Sequence, residues 1–283
     1  MNISLARWVV IVGSLALAAP AFAAQHHKAA AAVSYDCQAR MDHVRGVPAP
    51  MPGERDPWQC LKPKPHQFST ALDWFRDSLE YCRIATSAYH DAMRAAARAA
   101  ARYGRGHWLV FMDADETVLD NSLYDKERQR CGEGFSNASW AAWLKAGLAR
   151  DVPGAAAFTH AVHRLGGLVA IVSNRSAVGD PVTRRNLTAA GIWFDDEIGH
   201  AKGRPHAKAA RWRRMVVRLE KRTGKTLTPV IWVGDQVTDF PILDSRGHIV
   251  RAMRQSDPGV GIGTRFFLIP NPIYGDWTAN TQN

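Results

Sequence analysis

The sequence predicts an α/β fold: a parallel sheet covered by helices, with a smaller helical insert. Three continuous apolar runs carry that prediction, Trp108-Leu109-Val110-Phe111-Met112, Leu168-Val169-Ala170-Ile171-Val172 and Pro229-Val230-Ile231-Trp232-Val233. Runs without polar alternation suit strands buried on both faces. Helical patterns lie between them, and alternating strands and helices favour a parallel sheet. Each run also ends in polar residues with chemical potential: Asp113-Ala114-Asp115, Ser173-Asn174-Arg175 and Gly234-Asp235-Gln236-Val237-Thr238-Asp239. Ligands of such sheets bind beyond the carboxyl ends of the strands, so the three endings are expected to converge on one site.

The elements follow in order. Residues 24–66 hold Pro48, Pro50, Pro52, Pro57, Pro63 and Pro65 and are expected to form an irregular N-terminal segment. Phe68 to Arg102 reads as one or two helices, with Gly104 as the stop. Residues 121–150 interrupt the strand–helix alternation and are expected to form a helical insert beside the site. Pro153 opens a helix that ends near Gly166. Asp180 and Pro181 form an N-cap and first-turn pair, with Gly191 as the C-terminal stop. Pro205 starts a further helix that ends near Gly224. The chain divides as 1–23, a signal peptide; 24–66, the irregular segment; and 67–283, the α/β domain, which includes N-terminal helices at 68–103 and the insert at 121–150.

The expectation for 1–23 rests on one basic residue, Arg7, then an apolar stretch from Trp8 to Ala19, then Ala21-Phe22-Ala23 as a small-x-small cleavage site. The stretch is short for a membrane span. No cysteine follows it directly, the first being Cys37, so no lipid anchor is expected. The mature chain is expected in the periplasm or released. Its four cysteines, Cys37, Cys60, Cys82 and Cys131, permit two disulfides in an oxidising compartment, with three connectivities open. None forms a Cys-x-x-Cys pair, which argues against a thiolate metal site. Cys82 also reads simply as a buried helix residue.

The formal net charge is +10, and loss of Arg7 leaves +9. Such a surface attracts phosphorylated anions. The arginines are scattered through amphipathic helices and no basic–aromatic stripe interleaves them, so specific nucleic-acid binding is not expected. The eleven histidines show no metal-ligand spacing on one helix; His160 and His163 suit an amphipathic face, and His200 and His206 flank a lysine-bearing segment.

Asp113 and Asp115 are two residues apart at a strand end, where a chain that curls can aim one carboxylate at a ligand and bring the other over it. A carboxylate can attack phosphorus, provided that a cation and nearby donors offset the repulsion between two negative groups. The ordered set Asp113-x-Asp115-x-Thr117, Ser173, a lysine, and Gly234-Asp235-x-x-x-Asp239 resembles the four motifs of the haloacid dehalogenase-like (HAD) superfamily. The likeness extends to Trp74, Glu80-Tyr81-Cys82-Arg83, Trp140-x-x-Trp143, Val152-Pro153-Gly154-Ala155 and Phe267 to Trp277, which resemble the class C (subfamily IIIB) acid phosphatases and secreted 5'-nucleotidases. It covers roughly Gln67 to Trp277.

The resemblance implies a HAD-like, Rossmann-type sheet and a secreted Mg²⁺-dependent acid phosphatase. The substrate would be a small phosphomonoester, nucleoside 5'-monophosphates included, and the reaction would pass through an aspartyl-phosphate. It implies Asp113 as nucleophile, Asp115 as general acid and base, and Mg²⁺ held by Asp113, Asp235 and Asp115, the last through its backbone carbonyl. Asp239 would bind a metal-bound water or orient Asp235. Ser173 and the backbone amide of Asn174 would bind the phosphate. Lys208 would neutralise charge as the catalytic lysine, with Lys202 as the alternative. Tyr274 would stack on a nucleobase, a reading balanced against an ordinary core position. Arg175 looks like a family feature with no firm role. Asp120 reads as a turn cap. Phosphotransfer to another alcohol and a non-catalytic binding or storage protein are the alternatives, since fold alone does not fix function. The oligomeric state is open.

Overall fold

The computed structural model describes residues 35–39, 57–64, 68–204 and 207–282. The expected signal peptide, most of the irregular N-terminal segment, Pro205 and His206 lie outside them. Among the described residues no helix is long and apolar enough to cross a membrane.

The expected helical stretch before the first strand is two helices, α1 (Thr70–Asp77) and α2 (Leu79–Tyr103). Each opens on a serine whose hydroxyl accepts from the backbone of its first turn, Ser69 from Leu72 and Ser78 from Tyr81. Gly104 ends α2 at φ +74°, a conformation open to glycine at little cost. The chain then enters β1 (Trp108–Met112), every residue of which is buried.

β1 is the middle of a five-stranded parallel sheet. It pairs on one side with β4 (Leu168–Ser176), which pairs with β5 (Asp196–His200). On the other side it pairs with β6 (Thr228–Gly234), which pairs with β9 (Phe266–Leu268). The alternation of β1 feeds two cores. Val110 and Met112 join Tyr89, Phe158 and Leu187 from α2, α5 (Ala155–Arg164) and α6 (Asp180–Ala189). Leu109 and Phe111 join Trp212, Met215 and Leu219 of α7 (Ala209–Thr223) on the opposite face. This is the predicted HAD-like α/β architecture.

Residues 121–150 form α3 (Ser122–Arg130) and α4 (Asn137–Ala146), bracketed by a short antiparallel pair, β2 (Leu119–Asp120) and β3 (Arg150–Asp151). A second antiparallel pair, β7 (Pro241–Leu243) and β8 (Ile249–Ala252), follows β6. Two disulfides settle the open connectivity: Cys37–Cys82 and Cys60–Cys131, with Cα atoms 5.8 and 5.5 Å apart. Cys82 is thus buried in α2 and cross-linked, and Cys131 pins the end of α3 to the segment before α1.

One strand of the parallel sheet, β5, does not read as an apolar run, and one helix starts earlier than expected. β5 reads Asp-Glu-Ile-Gly-His, yet it is almost wholly buried. Its Asp196 is neutralised by Arg184, Arg218 and Arg222, at 2.8, 2.8 and 3.3 Å, which lets an acidic segment occupy the sheet. α6 begins at Asp180 with Gly179 as cap, one residue earlier than the Asp180–Pro181 pattern suggests.

Candidate active site

The loop after β1 builds the centre of the site. The amide of Asp113 donates to the Val233 carbonyl at 3.0 Å, which ties the ends of β1 and β6 together. The chain then curls back: the amides of Val118 and Leu119 donate to the carbonyl of Ala114 at 3.0 and 2.9 Å. Glu116 turns the corner at φ +52°, an uncommon conformation for a residue other than glycine. Its buried carboxylate accepts from the backbone and side-chain amides of Asn121, at 2.9 and 3.0 Å, which fixes the turn. Tyr89 closes it from α2, its hydroxyl donating to the Thr117 carbonyl at 2.6 Å.

This curl sends the two aspartates to different partners. Asp113 points toward Lys208, whose Nζ lies 2.5 Å from its Oδ1 and 2.6 Å from Oδ1 of Asp239. Oxygen atoms of Asp113, Asp235 and Asp239 lie within 4.8 Å of one another. Asp235 is held in place by Thr117, at 3.1 Å to Oδ1, and by Asn271, at 2.8 Å to Oδ2. Gly234 precedes it for lack of space: a Cβ there would stand 2.2 Å from the Cβ of Asp239. Asp239 is fixed in a short turn by the Gln236 amide at 3.1 Å.

Two buried carboxylates and the half-buried Asp113 face one ammonium. Burial pushes the Asp113 carboxyl up to about 7, with Lys208 opposing and Asp239 and Asp115 reinforcing the rise. Burial, Asp239 and Asp113 push Asp235 well above its usual range. Burial works against the charge on Lys208, yet Asp113 and Asp239 outweigh it and hold the lysine above its usual value. The surplus negative charge and the all-oxygen donor set fit a hard divalent cation, which these three residues could hold.

Asp115 faces the other way. Arg175 grips its carboxylate through Nε, at 2.9 and 3.1 Å, and Nη2, at 2.6 Å, and Asn121 donates to it at 2.8 Å. Asn121 also accepts from the indole of Trp143 in α4 at 2.8 Å, so the insert braces this corner. Trp140 presents its ring to the Arg175 guanidinium at 5.9 Å. Trp140 and Trp143 therefore both reach the site.

At the end of β4, Ser173 is buried and its hydroxyl accepts from the Arg175 amide at 3.0 Å, which leaves its own proton to donate. Asn174 is exposed, and its side-chain oxygen accepts from Arg211 at 2.5 Å. Arg211 donates as well to the Ser173 carbonyl. Lys202 is exposed, while the Lys208 ammonium occupies the carboxylate cluster. Asp120 accepts from the amide and hydroxyl of Ser122 at 2.9 and 2.5 Å, as a turn cap does. His160 meets the Gly191 carbonyl at 3.1 Å and His163 stacks on Trp193, both away from the acids. Tyr274 is 38% exposed, and its amide and that of Ile273 donate to Asn271 Oδ1, at 3.4 and 3.0 Å. Asn271 thus links Asp235 to the segment that carries Tyr274.

Residues 56–277 match the family model described as HAD superfamily, subfamily IIIB (Acid phosphatase). The chain belongs to that family. It is an acid phosphatase, a phosphomonoesterase, and phosphatases of this superfamily use a divalent metal. Two solved structures share its fold. The class C acid phosphatase from Bacillus anthracis with tungstate bound is 23% identical, with a TM-score of 0.61 over 73% of this chain and 84% of that one. A second structure of the Bacillus anthracis class C acid phosphatase is 24% identical, with a TM-score of 0.60 over the same shares.

Four residues of this phosphatase carry contacts for which the sequence suggested no role: Glu116, Asn121, Arg211 and Asn271. Each holds a neighbour in place, a role that leaves no spacing signature.

Proposed function

We propose that this acid phosphatase is secreted, depends on Mg²⁺ and hydrolyses phosphomonoesters, nucleoside 5'-monophosphates included, through an aspartyl-phosphate on Asp113. The observation that carries the reading is the Asp113 carboxylate beside the Lys208 ammonium and within reach of Asp235 and Asp239. Asp113 Oδ attacks phosphorus in line, forming the P–O bond to the enzyme as the P–O bond to the alcohol breaks. Asp115, oriented by Arg175 and Asn121, gives its proton to the leaving oxygen. It then takes a proton from water, which attacks phosphorus and frees Asp113 and inorganic phosphate.

Ser173 and the Asn174 amide donate to the phosphoryl oxygens. Lys208 offsets the negative charge that gathers in the transition state. Asp113 and Asp235 would hold the Mg²⁺, with the Asp115 carbonyl as a further ligand, and Asp239, paired with Lys208, would bind a metal-bound water or orient Asp235. When bound, the cation supplies Lewis-acid charge neutralisation between phosphate and carboxylate. The exposed ring of Tyr274 supports stacking on a nucleobase over a core role. The N-terminal Arg7, apolar stretch and Ala21-Phe22-Ala23, together with two disulfides, support export.

The test is phosphate release from a nucleoside monophosphate panel and an aryl phosphate by wild type and Asp113→Asn, each with Mg²⁺ and with EDTA. Loss of turnover in both the variant and the chelated enzyme is expected. Turnover that survives Asp113→Asn refutes the nucleophile, and turnover of the aryl ester with none on any nucleoside monophosphate refutes the nucleotide reading.

A further inference from the structure

A second cavity of about 360 Å³ lies between the end of β5, the first turn of α7 and β8. Its size falls within the roughly 300–1,000 Å³ typical of small-molecule sites. Five arginines line it, Arg204, Arg211, Arg213, Arg214 and Arg251, with His200, and no Asp or Glu does. Some of that charge is committed. Arg213 donates to the carbonyls of Ile249 and Val250, at 3.0 and 3.2 Å. Arg251 pairs with Asp257 at 2.5 and 2.8 Å. Arg204 and Arg214 form no side-chain hydrogen bond or ion pair among the described residues, and both are exposed.

A concave wall with five guanidinium groups and no carboxylate among its lining residues carries a positive potential that attracts anions. Burial lowers the pKa of Arg211 against the opposing pull of Asp113 and Asp239, and the adjacent Arg214 adds a smaller push in the same direction as burial. Guanidinium groups are matched to phosphate and carboxylate, which accept two parallel hydrogen bonds from one fork. The amino-terminal turn of α7, a helix of fifteen residues, adds a positive end through Ala209 and Ala210 in the lining.

The cavity and the reaction centre share one residue, Arg211. It lines the cavity and also holds Ser173 and Asn174. Lys208, on Asp113, stands immediately before the turn of α7 that lines the cavity. We infer that the arginine-lined cavity is a second anion site, which receives a phosphoryl or carboxylate group carried by the substrate in addition to the phosphate that is cleaved. The preferred substrates are then phosphomonoesters with a second anionic group. The inference rests on the reaction centre proposed above.

The experiment compares wild type with Arg204→Ala/Arg214→Ala on phenyl phosphate, which has one anionic group, and on a hexose bisphosphate, which has two. The expected result is a rise of about tenfold or more in KM for the bisphosphate, from the loss of two charge-assisted contacts. Phenyl phosphate kinetics stay within about twofold, and Arg214→Glu alone raises the bisphosphate KM further than Arg214→Ala. Inorganic sulfate separates the two sources of the anion. If wild type does not favour the bisphosphate, but a noncompetitive component of sulfate inhibition disappears in the double variant, the site takes a free anion. Equal effects of the double variant on both esters, with unchanged sulfate inhibition, overturn the inference. Calorimetric titration with sulfate reads the cavity without turnover. Absence of any wild-type turnover on phenyl phosphate therefore strikes the reaction centre alone. Equal numbers of sulfate sites in wild type and double variant strike the cavity alone.

Discussion

Arg175 and Asp115 form a two-pronged ion pair, with Nη2 2.6 Å and Nε 2.9 Å from the same carboxylate oxygen, and the guanidinium is 1% exposed. The sequence offers no firm role for Arg175, whereas the structure makes it the residue that orients Asp115. Misplacement of a catalytic group by about 1 Å can cost roughly 100-fold in rate. Arg175→Lys keeps the charge and loses the fork, so kcat is expected to fall about 10–100-fold while KM changes little. Arg175→Ala is expected to fall further and to recover partly when guanidinium is added. Steady-state kinetics check both, and an unchanged kcat in Arg175→Lys would sink the positioning role.

Metal removal is expected to destabilise the protein as well as silence it. Asp113, Asp235 and Asp239 crowd one lysine, and a divalent cation relieves that repulsion only in the folded state. At 100 times its Kd a ligand adds about 2.7 kcal/mol. Mg²⁺ is therefore expected to raise the Tm of EDTA-treated wild type by several degrees, and to leave Asp235→Asn nearly unmoved. Scanning calorimetry with and without the ion makes the comparison; equal shifts in both proteins would remove Asp235 from the site.

Glu197 gives a pH dependence remote from the reaction centre. Burial, then the neighbouring Asp180 carboxylate, pushes its carboxyl from 4.5 up to about 8, against the pull of Arg184 at 3.1 Å. The folded protein therefore keeps this proton where the unfolded chain releases it. The stabilisation is fully present below about pH 4.5 and is lost as pH rises toward 8. Glu197→Gln imitates the protonated form and keeps a donor for Asp180. It is expected to flatten the Tm profile over that window and to raise Tm by roughly 2–4 °C at pH 8.5. A variant profile parallel to wild type would show that another group sets the slope.

The two disulfides enclose 45 and 71 residues of sequence separation. Chain-entropy reasoning assigns each about 4 kcal/mol against the reduced unfolded chain. Cys60→Ser/Cys131→Ser is expected to lower Tm and, because Cys131 caps the end of α3, to loosen the insert that braces Asn121. Hydrogen exchange would locate the change; protection lost at α2 instead would assign the bracing to the other bridge.

Much of the fold is readable from the chain because β1, β4 and β6 lie in the sheet interior and must be apolar on both sides. β5 escapes that logic. Its acids are buried only because Arg184 on α6 and Arg218 and Arg222 on α7 reach them, an arrangement that no local window contains. β9 is three residues long, too short for a periodic signal. Within the site, Asp113, Asp115, Ser173 and Asp235 are legible as ordered strand-end residues. Glu116, Asn121 and Asn271 are not, since a buried side chain that anchors a loop is recognised by its partners.

The sequence by itself determined the α/β class, the order of the site motifs along the chain and the family they resemble, because those depend on residue type and spacing. Tertiary structure alone decided which cysteines pair, which lysine meets Asp113, and that Asp239 rather than the Asp115 side chain joins the carboxylate cluster. These are contacts across 31 to 126 residues. Such contacts are set by how helices and loops pack around a finished sheet, through distances of a few ångströms that spacing along the chain does not encode.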